Sequence, residues 1–344
     1  MEKEKAVIAQ RFRNFAKNEC KGSSELYEFL SNQIAGDHEL LKLCAHTRTG
    51  QPIPNLLFGA VHYLLLRGTN HRLSEYYPSI VKKPKDIKGS FIPFKDFCRE
   101  HQAEIRPLLQ NKLVQTNEVR RCAYLYPSFC YMYSIAKKPL ALIEIGTSAG
   151  LQLQWDNYGY SYGNKEEVYG NERSRVHITS KIKGESSPLL HADSPSVAWR
   201  VGIDLHVSDV NDPEDLQWLE ALIWPEQQER LALFRSAVKQ LQENPVKLFE
   251  GDGVALLSEV AKKAPKDTAI CVFHTHVANQ IPNDLKLKLV DNIKEIGRKR
   301  DIFHLYNNMW DSDLHLGYIV DGREYNHTIG ETDGHGKWFS WNLA

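Results

Sequence analysis

The residues best suited to chemistry stand where apolar runs end. LALIEIGTSAG (140–150) carries Glu144, Gly146, Ser148 and Gly150 in a turn of small residues. GIDLH sets Asp204 after a second run, FEGDG sets Asp252 after a third, and VFHTH sets His274 and His276 after a fourth. Small residues let the backbone bend sharply and approach a ligand, and a helix start leaves amides unpaired there. An imidazole can take or give a proton near neutral pH.

The 140–150 turn supports three readings. As E-x-G-x-S-A-G it is a variant of the glycine loop that holds a dinucleotide or S-adenosylmethionine, with Leu151, Leu153 and Trp155 opening a helix. As G-x-S-x-G it is a nucleophile elbow, with Ser148, Asp252 and one of His274, His276 or His335 in the chain order that α/β-hydrolases use. As a plain connection, its glycines only relieve crowding. The elbow needs several strands ahead of it, and residues 1–138 read as helical with no oxyanion loop. A metal reading of His274 and His276, with Asp311, Asp313 or His315, lacks a third ligand fixed by spacing; one core and one surface histidine is the plainer account.

The elements that must position these groups follow from periodicity. In 1–138, Leu26, Leu30 and Ile34 recur every four residues behind Ser23 or Ser24, and Asn55 is expected to cap an apolar helix over 56–66. His62 inside that run reads as a hydrogen-bonded core histidine. Residues 81–90 read as an exposed connection, and helices are expected near 94–109 and 118–136. The second of these carries Tyr124, Tyr126, Tyr131 and Tyr133 as packing groups whose hydroxyls reach solvent, with a kink at Pro127.

From 139 onward, a strand leading to Glu144 and strands at 199–205, 246–249, 269–273 and 302–306 alternate with helices that start at Asp212-Pro213, at Pro225, at Val254 and before Leu285. Residues 316–320 and 337–341 read as terminal antiparallel strands. Strands alternating with helices imply a mostly parallel sheet covered on both faces. The expected fold is α/β: a helical N-terminal lobe, 1–138, and a Rossmann-like, doubly wound domain, 139–344. The irregular stretch 161–195, with a possible strand at 176–182, is a candidate lid, and Tyr158, Tyr160, Tyr162 and Tyr169 are candidates to cover a ligand.

Composition narrows the partners. Forty-three basic and 43 acidic side chains cancel over 344 residues, so no net field draws the chain to nucleic acid or an anionic membrane. The charged MEKEK start, with no apolar signal region, leads to an expected cytoplasmic location, and the longest apolar run is too short for a membrane span. Six cysteines without a C-x-x-C pair are expected to be reduced and mostly buried. A small molecule is the expected partner.

The ordered series of Glu144 and Gly146, then Asp204, then Asp252, then His274 and His276 resembles the class I S-adenosylmethionine-dependent methyltransferases. That resemblance implies S-adenosylmethionine as cofactor, with Glu144, Gly146, Ser148 and Gly150 at its methionine part, Asp204 at the ribose, Asp252 at the adenine amino group, and His274 or His276 as general base. Ser148 stands where the usual loop has its middle glycine, and Asp204 lies further along than the usual ribose carboxylate. No Asp-Pro-Pro-Tyr or Asn-Pro-Pro-Tyr sequence follows the fourth strand, which disfavours a base amine as acceptor. More narrowly, EIGTSAGLQLQWDNYGY, GIDLHVSD, LIWPEQQERL, FEGDG and PNLLFGAVHYLLL resemble the bacterial family called domain of unknown function 2332.

Overall fold

A computed structural model describes residues 2–163 and 167–343. The α-helices are α1 (Glu2–Phe15), α2 (Glu25–Ile34), α3 (His38–Cys44), α4 (Ile53–Leu66), α5 (Phe91–Glu100), α6 (Gln102–Asn111), α7 (Cys122–Ala136), α8 (Pro213–Ala221), α9 (Gln228–Glu243), α10 (Gly253–Ala261) and α11 (Asn283–Gly297). Contacts group the chain into two compact units, 1–116 with 211–232, and 117–210 with 233–344. This grouping follows packing rather than the change of periodicity near 138.

The first unit is helical. Its core gathers Phe12, Leu30, Leu56, Phe58, Phe94 and Leu109, all fully buried, and Tyr27 stacks on Phe58 at a centroid separation of 4.1 Å. His62 is the hydrogen-bonded core histidine expected: Nδ1 meets the Ala221 carbonyl at 2.9 Å and Nε2 the Ser79 hydroxyl at 2.8 Å. Burial pushes its pKa down to about 4.

Two expected helix starts move. α4 begins at Ile53, so Asn55 lies within the helix and does not cap it. α9 begins at Gln228, not at Pro225. The Glu226 carboxylate accepts from the Ser24 hydroxyl at 2.9 Å and from Leu26 N at 3.0 Å, which holds residues 225–226 in a turn.

The second unit is built on a seven-stranded sheet. Its strands are β1 (Leu140–Ile145), β5 (Val197–Asp204), β6 (Lys247–Glu250), β7 (Ala269–His274), β8 (Ile302–Tyr306), β9 (Leu314–Val320) and β10 (Arg323–Gly330); β2 (Gly159–Tyr162), β3 (Tyr169–Gly170), β4 (His177–Lys183) and β11 (Trp338–Ser340) form a separate four-stranded sheet. The order β10-β9-β8-β7-β1-β5-β6 runs outward from β1 to β6, then returns to the other side of β1 at β7. β6, β5, β1, β7 and β8 are mutually parallel, while β9 and β10 close the edge as an antiparallel pair. The chain is therefore a Rossmann-like, doubly wound α/β protein with a helical N-terminal region. β10 escaped the sequence reading because REYNHTIG is polar along an exposed edge strand.

Alternation along the strands separates two faces. Ile143, Ile145, Val201, Ile203, Ile270 and Val272 share a core with α10 and α11 residues such as Val254, Leu257, Leu289 and Ile293. Glu144 and Gly202 face the other way by the two-residue period of a strand, whereas His274 falls on the α10 and α11 side with Val272.

The tyrosines correct another expectation. Tyr124, Tyr126, Tyr158 and Tyr160 are fully buried. Tyr158 and Tyr160 donate to the carbonyls of Leu151 and Trp155 at 2.7 and 2.5 Å. α7 runs through Pro127, whose missing N–H leaves the Ala123 carbonyl without its helical partner; the Tyr162 hydroxyl donates there at 2.8 Å. These rings are structural. The candidate lid supplies β3 and β4, and its residues 164–166 lie outside the described ones.

Candidate functional site

β1 ends at Ile145, and the next five residues alternate in hand: Gly146, Ser148 and Gly150 have φ of +74°, +49° and +81°. Gly150 N donates back to the Thr147 carbonyl at 2.8 Å and closes the turn. Residues Leu151–Asn157 then form a 3-10 helix rather than the expected α-helix, so the loop does not open onto a long helix dipole.

Carboxyl groups line this loop. Glu144 is 3 % exposed, and its Oε2 accepts from the Thr147 hydroxyl at 2.6 Å. Burial raises its pKa to about 8; the Thr147 bond opposes the shift, Asp204 adds to it and Arg121 opposes it. Gly202 makes the Thr147 contact possible, because a side chain at Gly202 would overlap Thr147. One step along β5, Asp204 accepts from Ser148 N at 2.7 Å through Oδ2 and from His206 N at 3.0 Å through Oδ1. Asn117 holds the loop from outside, donating to the Ser148 hydroxyl at 2.9 Å and accepting from Ala149 N at 3.3 Å.

Asp252 caps α10: its Oδ1 accepts from Val254 N at 2.8 Å and Ala255 N at 3.2 Å. The strand partner of Asp204 on β6 is Glu250, whose Oε2 accepts from Val207 N at 3.3 Å.

The two histidines part company. His274 is fully buried and meets His304, Nε2 to Nε2 at 3.0 Å, and burial takes its pKa down to about 4. His276 has a left-handed backbone, φ +55°, fixed by its N–H donating to Asn307 Oδ1 at 2.9 Å. Its Nδ1 meets Asn308 Nδ2 at 3.2 Å, while Nε2 is buried without a partner. Burial first, then Arg121 and His335, lower its pKa to about 3, against the opposing pull of Asp333.

Arg121 and Glu118, which the sequence reading passed over, organise the rest. Arg121, 6 % exposed, donates to the Gly334 carbonyl at 3.0 Å and reaches the Thr275 carbonyl and hydroxyl at 3.5 Å. Thr275 donates to Gln152 Oε1 at 3.2 Å, and Gln152 Nε2 donates to the Glu118 carbonyl at 3.4 Å. Glu118, 2 % exposed, receives Arg120 N on Oε1 at 3.2 Å and faces His335 Nδ1 through Oε2 at 2.9 Å. The only local signal for these residues is a charged N-E-V-R-R cluster directly ahead of a tyrosine-rich apolar helix.

For the hydrolase reading, the Ser148 hydroxyl is held by an asparagine rather than by an imidazole. For the metal reading, His315 pairs with Asp311 at 2.7 Å and Asp313 N donates to that same carboxylate, all within the turn that leads into β9. Among the described residues no three His, Cys, Asp or Glu side chains are grouped to hold a metal ion.

Fold and rim together define a Rossmann-like α/β protein with a polar site at the carboxyl ends of its parallel strands. Residues 9–341 match the family model described as "Uncharacterized protein conserved in bacteria (DUF2332)", and the chain belongs to that family. No curated protein and no solved structure matches the chain. No helix among the described residues is long and apolar enough to cross a membrane.

Proposed function

We propose that the rim binds S-adenosylmethionine or a related nucleoside, and that the protein transfers the methyl group to a small molecule. The observation that carries this reading is Asp204. It stands at the end of the strand next to β1, and each of its oxygens accepts one backbone N–H. A carboxylate has about four acceptor sites, so capacity remains for two ribose hydroxyls. In open α/β sheets, ligands bind beyond the carboxyl ends of the strands at the switch point, and here that point lies between β1 and β7.

Glu144, Ser148 and Asp204 gather along β1, its loop and the end of β5, where the cofactor would lie. Asp252 uses Oδ1 for its cap, leaving Oδ2 for an adenine amino group. The bound cofactor would supply an electrophilic methyl, and the protein's part would be to place the acceptor in line with it. Gly146 and Gly150 fit less well: the space that a side chain would take is filled by Val277 at Gly146 and by Val246 and Leu248 at Gly150. A second reading is nucleoside binding without turnover: of the two histidines that the resemblance implies as base, His274 is taken up by His304 and His276 has a buried Nε2.

Calorimetric titration with S-adenosylmethionine and S-adenosylhomocysteine tests both readings. Asp204→Asn should weaken binding by about tenfold or more, the scale of a lost hydrogen bond to a charged group, and Glu144→Ala should also weaken it. Binding by the wild type without methyl transfer would favour the second reading. No binding by the wild type would remove both.

A further inference from the structure

We propose that Glu118 and His335 form the base that removes the acceptor's proton, so that the acceptor is a hydroxyl or amine presented in protonated form. This rests on the transfer reading above. The two residues are far apart in the chain but 2.9 Å apart in space, Glu118 Oε2 to His335 Nδ1. Their exposures are opposite: the Glu118 side chain is 3 % exposed and that of His335 is 43 %. With Glu118 ionised, its carboxylate accepts, so Nδ1 carries the hydrogen and the lone pair lies on Nε2 of a ring that is partly exposed. This is the arrangement in which a base is oriented by a third group.

Consecutive residues tie the pair to the glycine loop. Asn117 holds the Ser148 hydroxyl and Ala149 N, Glu118 holds His335, and the Glu118 carbonyl receives Gln152, two positions after Gly150. Arg121 grips the Gly334 carbonyl beside His335. The competing histidines are poorly placed. His274 spends Nε2 on His304, on the sheet face away from Glu144, and His276 meets Asn308 through Nδ1 and has a buried Nε2.

In the step proposed, the acceptor's lone pair forms the new bond to carbon while the sulfur–methyl bond breaks and its electron pair stays on sulfur. The acceptor's proton passes to His335 Nε2, the resulting imidazolium is paired with Glu118, and water then takes the proton.

Two measurements test this. The ¹⁵N-histidine spectrum of the cofactor-free protein should show His335 as the Nδ1–H tautomer; an Nε2–H tautomer would overturn the pairing. Methyl transfer is then compared between a panel of small alcohols and amines and iodide, which has no proton to lose. His335→Gln should slow transfer to the protic acceptors by about a hundredfold, in the range of general-base catalysis, with KM for S-adenosylmethionine and the iodide rate unchanged. Glu118→Gln, acting through His335, should show the same split at smaller size. Equal losses for iodide and protic acceptors would make the pair structural and overturn the proposal, as would full rates in His335→Gln. Wild-type transfer to iodide but to no protic compound would overturn the base while leaving the transfer reading intact. Absence of all transfer would overturn both.

Discussion

Glu144 is the rim carboxyl whose chemistry departs from its ordinary behaviour. Its pKa near 8 follows from burial, so the folded state binds a proton that the unfolded chain releases near 4.5. The sign follows: a carboxyl with a raised folded pKa favours the fold fully below its unfolded pKa, and that contribution is lost as pH rises from about 4.5 through about 8. Glu144→Gln, which keeps an acceptor for the Thr147 hydroxyl and cannot ionise, should lose less stability than the wild type between pH 6 and pH 9. Urea melts across that range measure it, and parallel curves for the two proteins would contradict the assignment. Glu144 and Asp204 were legible as candidates because each ends an apolar run. Glu118 was not, and His335 was legible only as one of three histidines in the hydrolase reading; 217 positions separate the two and neither ends a strand. Only the folded chain brings a 3-10 turn ahead of α7 against the loop between β10 and β11.

At the level of elements, Asp252 has a helix to serve whether or not a ligand binds. Replacing an N-cap aspartate by alanine costs about 1 kcal/mol, while asparagine caps nearly as well. Asp252→Ala should therefore lower stability by about 1 kcal/mol and Asp252→Asn by a few tenths, read by denaturant unfolding. An Asp252→Ala protein as stable as the wild type would contradict the cap. Asp212, whose Oδ1 accepts from Glu214 N and Asp215 N at 2.8 and 2.9 Å, shows the same device ahead of Pro213 in α8, and there the sequence reading placed the start correctly. The buried strands were legible because their runs are continuously apolar; 302–306 was found to the residue. What composition hid were features set by distant partners: the turn at 225–226 held by Ser24 and Leu26, and the polar edge strand β10. The sequence reading also had Leu151, Leu153 and Trp155 open a helix but missed the 3-10 form of Leu151–Asn157.

At the scale of the whole chain, the alternation of strands and helices was enough to give the doubly wound sheet, because parallel strands need long crossovers and bury both faces. The order of strands in that sheet puts Glu144, Asp204 and Glu250 at neighbouring strand ends, as the pairings of Glu144 with Gly202 and of Asp204 with Glu250 show. It also splits His274 from His276, and these strand ends form the rim proposed to bind the nucleoside. The most direct test of that rim is hydrogen–deuterium exchange of the full chain with and without saturating S-adenosylhomocysteine. The account predicts slowed exchange in the loop at 146–150, in residues 204–208 at and just beyond the end of β5, and at the start of α10 beside Asp252. Unchanged exchange in all three segments, or protection elsewhere alone, would contradict it.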